Sequence, residues 1–250
     1  MLSDAFYDVD ESPFYASEVA SFARRIDSPP NCLTIHEFGS GSAQAVCDVF
    51  GLLPERAQII GYEIDPTSCQ IARAMVSAAG LSDRYLIREE DFFAARDAIK
   101  CRSALVANPP YLPISGSTSA FPDLSGGPSG NEVSKQILRS GFGRVLLIMS
   151  SFADPLSLFD EAIRLGYRLV YWNSISVPFG QHCNRPNVAA GIHRLAASGR
   201  AYVQENRYLV MATEWSLSRD TPDTLGIDGD GDVRATLVST LRELLRPATA

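Results

Sequence analysis

At 250 residues, with 46% hydrophobic and 20% charged side chains, the chain is long enough for one globular domain with a sizeable core. Its net charge of −7 argues against a protein whose main task is gripping a nucleic-acid backbone, and no apolar run is long enough for a membrane span. Five scattered cysteines (Cys32, Cys47, Cys69, Cys101 and Cys183) contain no C-x-x-C pair and no signal peptide precedes them, so they read as free thiols of a cytoplasmic protein.

Residues 1–13 are acidic and turn-rich and read as a lead-in. The spacing of Val19, Phe22, Ala23 and Ile26 predicts a helix over 17–26, stopped by Pro29-Pro30. A strand over 33–38 runs into Gly39-Ser40-Gly41-Ser42-Ala43, and a helix follows to about residue 49. The second strand, over 58–62, ends at Glu63-Ile64-Asp65, with Pro66 placed for the first turn of the next helix. A third strand over 85–87 meets the acidic turn Glu89-Glu90-Asp91, and Phe92 opens a short helix. The fourth strand, over 104–107, breaks at Asn108-Pro109-Pro110-Tyr111, because neither proline has an N–H for the ladder. Residues 112–129, rich in Pro, Ser and Gly and carrying Phe121, read as a lid. Helices over 132–138 and 156–165 flank a fifth strand over 145–149. Two more strands are predicted over 168–172 and 208–215, with irregular chain over 178–199 between them and an amphipathic helix over 233–245.

This alternation predicts a mostly parallel sheet covered by helices on both faces and made mixed by its last two strands. Ligands of such sheets sit at the carboxyl ends of the strands, where the motifs lie. Gly39 and Gly41 let a ligand approach the backbone closely. Glu63, at the end of the second strand, suits both hydroxyls of a ribose, and Asp91 suits an adenine amino group, with Ile64 and Phe92 beside the base. Glu37, just before the glycines, would repel a pyrophosphate but pair with an α-amino group. That charge pattern points to S-adenosylmethionine rather than NAD.

At the fourth strand, the Asn108 and Pro109 carbonyls can accept both hydrogens of a planar NH2 group, and Tyr111 can stack on its plane. His182 and Cys183 adjoin each other without further ligands, so no metal site is read there. Asp228-Gly229-Asp230-Gly231-Asp232 reads as a solvated turn.

The glycine turn, the strand-end acids and the Asn-Pro-Pro-Tyr corner together resemble the class I S-adenosylmethionine-dependent methyltransferases of the amino-methylating branch, which share a (D/N/S)-P-P-(Y/F/W) motif. The stretches 126–133, 147–151 and 177–179 resemble HemK-like glutamine N5 methyltransferases in particular. The resemblance implies an α/β, Rossmann-like class I fold with a seven-stranded, mostly parallel sheet and a C-terminal antiparallel hairpin. It also implies a methyltransferase domain over 31–218, between a lead-in and helix over 1–30 and a tail and helix over 219–250. Asn108, Pro109 and Tyr111 are then the catalytic corner, and Glu37, Gly39, Gly41, Glu63, Ile64, Asp91, Phe92 and Asn108 the S-adenosylmethionine site. Two departures stand out: Ala43 replaces the third glycine, and Pro128-Ser129 replaces the acid often found in the later glycine-rich turn. The short stretch before the first strand also predicts no helical recruiting domain of the bacterial release-factor type. The expected acceptor is a protein glutamine or a small molecule, with adenine in nucleic acid disfavoured. The expected assembly is a monomer or homodimer, with room for an activator subunit. The reading from a different class is a non-catalytic S-adenosylmethionine-binding subunit.

Overall fold

A computed structural model describes residues 7–26, 33–99, 104–114, 124–217, 238–241 and 243. Phe121, the acidic 228–232 turn and most of the 233–245 helix lie outside these residues.

The first helix, α1 (Glu11–Arg25), begins inside the expected lead-in. Asp8 Oδ1 accepts the N–H groups of Asp10 and Glu11 at 2.9 and 3.0 Å, which satisfies donors that no helical carbonyl reaches. Pro13 falls in the first turn, where its missing N–H costs nothing. Phe14, Tyr15, Val19, Phe22 and Ala23 form the buried stripe.

From there strands and helices alternate: β1 (Leu33–Phe38), α2 (Gln44–Val49), β2 (Ala57–Glu63), α3 (Pro66–Ala78), β3 (Tyr85–Glu89), α4 (Phe92–Ala95), β4 (Ala104–Ala107), α5 (Glu132–Arg139), β5 (Arg144–Ser150) and α6 (Pro155–Arg164). The chain continues through β6 (Arg168–Pro178), α7 (Pro186–Ala197), β7 (Val203–Gln204) and β8 (Arg207–Ser216). Hydrogen bonds order the strands β3-β2-β1-β4-β5-β8-β6, with β7 paired to β8. Among the described residues the sheet therefore has eight strands where seven are expected, the addition being the two-residue β7.

Contacts divide the chain into two compact units, one within residues 1–108 and 140–147 and the other within 109–139 and 148–250. The chain passes between the units at Asn108–Pro109, at Arg139–Ser140 and at Leu147–Ile148.

In the first unit β1 runs parallel to β2 and β4, with Glu37 opposite Gly61 and Val106, and Phe38 opposite Tyr62 and Ala107. Glu63 pairs with Glu89 across β2 and β3. The strand ends that carry the acids are thus level with the end of β4.

In the second unit β6 and β8 pair antiparallel from Arg168↔Ser216 to Pro178↔Arg207, with an irregularity between Leu169 and Tyr171. β6 therefore extends well past residue 172. The chain over 178–199, which its prolines and glycines mark as irregular, contains α7. Pro186 opens that helix at a position where proline is tolerated, and Val188, Ile192 and Leu195 are its buried face. Gly191 is tolerated inside the helix because a Cβ there would lie 1.9 Å from the Pro113 carbonyl oxygen.

No helix among the described residues is long and apolar enough to cross a membrane. No group of three or more His, Cys, Asp or Glu side chains among them could hold a metal ion.

Candidate active site

The turn after β1 is built for close backbone approach. Gly39 and Gly41 have φ of 67° and 53°, a region that costs glycine nothing. The N–H groups of Gly39 and Ser40 donate to the Tyr62 carbonyl at 2.9 and 3.1 Å, which ties the turn to the end of β2. Gly61 gives Ser40 its place, since a Cβ there would lie 2.1 Å from Ser40 Oγ. Ala43, which follows the two glycines of the turn, is held at φ 60°. That conformation costs a non-glycine residue about 1–2 kcal/mol.

Glu63 closes the same corner. Its Oε2 accepts the Gly41 N–H at 2.9 Å, and its Oε1 accepts those of Ile64 and Asp65, each at 2.9 Å. A carboxylate has about four acceptor sites, so three donors fix its plane and leave capacity for a ligand hydroxyl. Ile64 is 69% exposed beside it. Asp91 is exposed and caps α4, its Oδ1 accepting the Phe93 N–H at 2.8 Å.

Phe92 departs from the role its position suggests, and Glu37 is more enclosed than its position suggests. Phe92 is a core residue: its ring lies edge-on to Phe38 and Tyr62, 5.5 Å from each centroid, and near Phe142. At 3% exposure it has no face for an adenine, because a short helix opening on a buried aromatic must turn that ring into the sheet. Glu37 stands at the end of β1 but is only 2% exposed. Its Oε1 accepts from Tyr15 Oη at 2.9 Å, and its Oε2 accepts from Tyr85 Oη. Burial pushes the Glu37 carboxyl up to about 7 against the pull of the two hydroxyls, and the Glu63 charge pushes the same way.

The raised carboxyl has a measurable consequence. Between about pH 4.5 and 7 the folded chain keeps a proton on Glu37 that the unfolded chain releases, so this group lowers stability as pH rises through that window. The loss should be on the order of 2 kcal/mol. Urea unfolding at pH 5 and 7.5 should show it, and Glu37→Gln should remove that part of the pH dependence. An unchanged slope in the variant would mean that Glu37 titrates in the ordinary range.

Tyr15 and Tyr85 are not recognisable as partners of Glu37 from the linear pattern, since they come from α1 and β3. On the other side of β1, a cleft of about 370 Å³ is lined by residues including His36, Tyr62, Arg88 and Glu90. Glu37, Glu63 and Asp91 are not among its lining residues.

In the second unit, Pro109 is buried, and Pro110 and Tyr111 are half-buried. The backbone beyond them is clamped: Leu112 N–H donates to Leu124 O at 3.1 Å, Gly126 N–H to Leu112 O at 2.9 Å, and Ile114 N–H to Gly127 O at 3.1 Å. The glycine-rich turn presses on the corner, as a Cβ at Gly126 would lie 2.7 Å from Tyr111 Cα and one at Gly130 2.6 Å from the Tyr111 carbonyl oxygen. Glu132, the first residue of α5, fastens this turn by accepting the N–H groups of Ser129 and Asn131 at 3.0 and 3.2 Å. The buried Asp154 carboxylate holds the other side through Arg200, whose Nη2 also donates to Ser129 Oγ at 3.0 Å. Tyr111 packs on the buried Phe152 at 5.8 Å. The half-buried Phe179 packs on Phe152 at 6.1 Å and stacks on Tyr208 at 5.4 Å.

A Pyrococcus horikoshii protein provisionally described as an RNA methyltransferase superposes with a TM-score of 0.53 at 11% identity, over 86% of this chain and 87% of that one. The delta-N METTL16 methyltransferase domain superposes with a TM-score of 0.51 at 15% identity, over 84% and 83%. The fold is that of the class I methyltransferases. Within this fold Glu37 and Glu63 lie at the ends of the adjacent strands β1 and β2, Asp91 lies just beyond β3, and Asn108 directly follows β4, the other neighbour of β1. No family model matches the chain. A release factor glutamine methyltransferase of Moorella thermoacetica is 31% identical over 137 residues, which are 50% of this chain and 46% of that one. The chain thus spans about half the length of the curated relative it matches.

Proposed function

We propose that the chain is an S-adenosylmethionine-dependent N-methyltransferase whose acceptor is a planar amide or amino nitrogen. One observation carries this reading: Asn108, the first residue of the Asn-Pro-Pro-Tyr motif, directly follows β4, whose end is in register with the β1 end that opens the glycine turn, Ala107 pairing with Phe38. The chemistry of the donors fits the methyl donor. Glu37, Glu63 and Asp91 are acidic and residues 37–65 contain one basic side chain, Arg56, so the corner suits a cationic ligand and not a pyrophosphate. Glu63 and the Gly41 turn would hold the ribose and the backbone side, Ile64 and Asp91 the adenine, and Glu37 would act from beneath the turn. Bound there, S-adenosylmethionine supplies an electrophilic methyl group on a sulfonium.

The residues of the corner do the rest. An amide nitrogen is a poor nucleophile because its lone pair is spread into the attached plane. The Asn108 side-chain oxygen and the Pro109 carbonyl accept its two N–H groups, which favours a pyramidal nitrogen. As positive charge grows on that nitrogen, the same fixed dipoles stabilise it. Tyr111 adds a cation–π contribution of about 0.5–2 kcal/mol. The methylated nitrogen is acidic enough to lose its proton to water, so no dedicated base is needed.

A protein glutamine is the acceptor best supported, because the partly matching relative is named for that reaction. A small molecule is the second candidate, on the altered glycine-rich turn. Labelled methyl incorporation into protein, small-molecule, DNA and RNA fractions at low salt tests the reading. Label in a protein, at glutamine, supports it; salt-sensitive label in nucleic acid would restore adenine as the target.

Cofactor affinity offers a separate check. Glu63→Ala removes the group that fixes the Gly41 turn and faces the ribose, and it should weaken S-adenosylhomocysteine binding by about 2 kcal/mol, roughly thirtyfold. Calorimetry measures this directly, and unaltered affinity would remove Glu63 from the site.

A further inference from the structure

Tyr15 and Tyr85 are fully buried hydroxyls from α1 and β3 that converge on one fully buried carboxylate two residues before the glycine turn. With phenylalanine at either position one Glu37 oxygen would lose its donor while buried, so each hydroxyl serves the carboxyl group. A carboxylate buried alone would hold its proton, and two donors aimed at its two oxygens are what allows it to ionise. The other titratable groups that face it are Glu63 of β2 and Cys47 of α2, and neither supplies positive charge. Glu37 therefore lacks a cation of its own among the groups that act on it, while its protonation is finely balanced.

Building on the cofactor reading above, we propose that Tyr15 and Tyr85 are positioning residues of the cofactor site. They hold Glu37 ready to lose its proton when the ammonium of the ligand's amino-acid end arrives. Binding then replaces a buried O–H with a carboxylate balanced by the ligand's charge, and the proton leaves to buffer. The helix α1, which precedes the sheet, becomes part of the cofactor site through Tyr15.

Calorimetry of the whole protein with S-adenosylhomocysteine, in phosphate and in Tris, measures the released proton without any variant. About half a proton should leave at pH 7, and binding should be about tenfold tighter at pH 8 than at pH 6. Glu37→Gln should bind with no proton release over that range. Tyr15→Phe and Tyr85→Phe each remove one donor and should release more of a proton at pH 7. Their affinity should fall about fivefold at pH 7 and recover toward pH 9, a shift that a purely structural loss would not produce. Binding by the wild type without proton release would overturn the proposal and leave the cofactor reading intact. No binding by the wild type would overturn both.

Discussion

Asn108→Ala is expected to slow methyl transfer by about 10²–10³-fold while S-adenosylhomocysteine affinity stays within about twofold. The reason lies in when its contact matters. A neutral acceptor NH2 donates a weak hydrogen bond to the amide oxygen before reaction, and a strong one once the nitrogen becomes positive. Only the second kind of interaction lowers the barrier, so losing it reduces the rate at saturating cofactor rather than cofactor affinity. Asn108 is half-buried directly after β4, and the proline that follows restricts its backbone to extended conformations. The backbone that carries the side chain is thus held extended, and truncation leaves no neighbouring amide to take its place. Single-turnover methyl incorporation, measured beside calorimetry, separates the two effects. A variant that loses the cofactor but keeps its rate when saturated would make Asn108 structural and refute the corner chemistry.

The elements that place these residues were mostly legible, for a physical reason. β1, β2, β4 and β5 are mostly buried strands, and the first three end where glycine, an acid or proline interrupts them. Such interruptions are local events, so a linear reading finds them. α7 was hidden because Gly191 looks like a helix breaker until Pro113 is seen to need the space. α1 begins earlier than apolar spacing predicts, because its capping by Asp8 is a side-chain contact that such spacing does not register. The site itself divides along the same line. Glu63 sits at the glycine turn as its position implies, because strand register places it there. The burial of Glu37 and Phe92 was not legible, since it depends on Tyr15, Tyr85 and Phe142, which are remote in sequence. An acid at a strand end can face outward or inward, and only the third dimension decides.

Gly191→Ala should destabilise the fold by about 3 kcal/mol, although alanine is the better helix former by about 1 kcal/mol. The added Cβ would lie 1.9 Å from the Pro113 carbonyl oxygen and 3.0 Å from its carbon, distances that no rotamer change can relieve because both atoms are backbone. Relief therefore requires α7 or the 109–114 segment to move. α7 resists, since Val188, Ile192 and Leu195 are all buried along the same face. The segment resists too, through the backbone hydrogen bonds that join Leu112 and Ile114 to Leu124, Gly126 and Gly127. Whichever yields, packing that took the helix to full density is lost, and the residues just after Tyr111 shift with it. Gly51→Ala is the matched control: its Cβ would meet nothing within 4 Å, its backbone is not left-handed, and the change should be neutral or slightly stabilising. Denaturant midpoints of the two variants against the parent settle the comparison. Equal midpoints for Gly191→Ala and the parent would mean that α7 does not lie against Pro113 in this register.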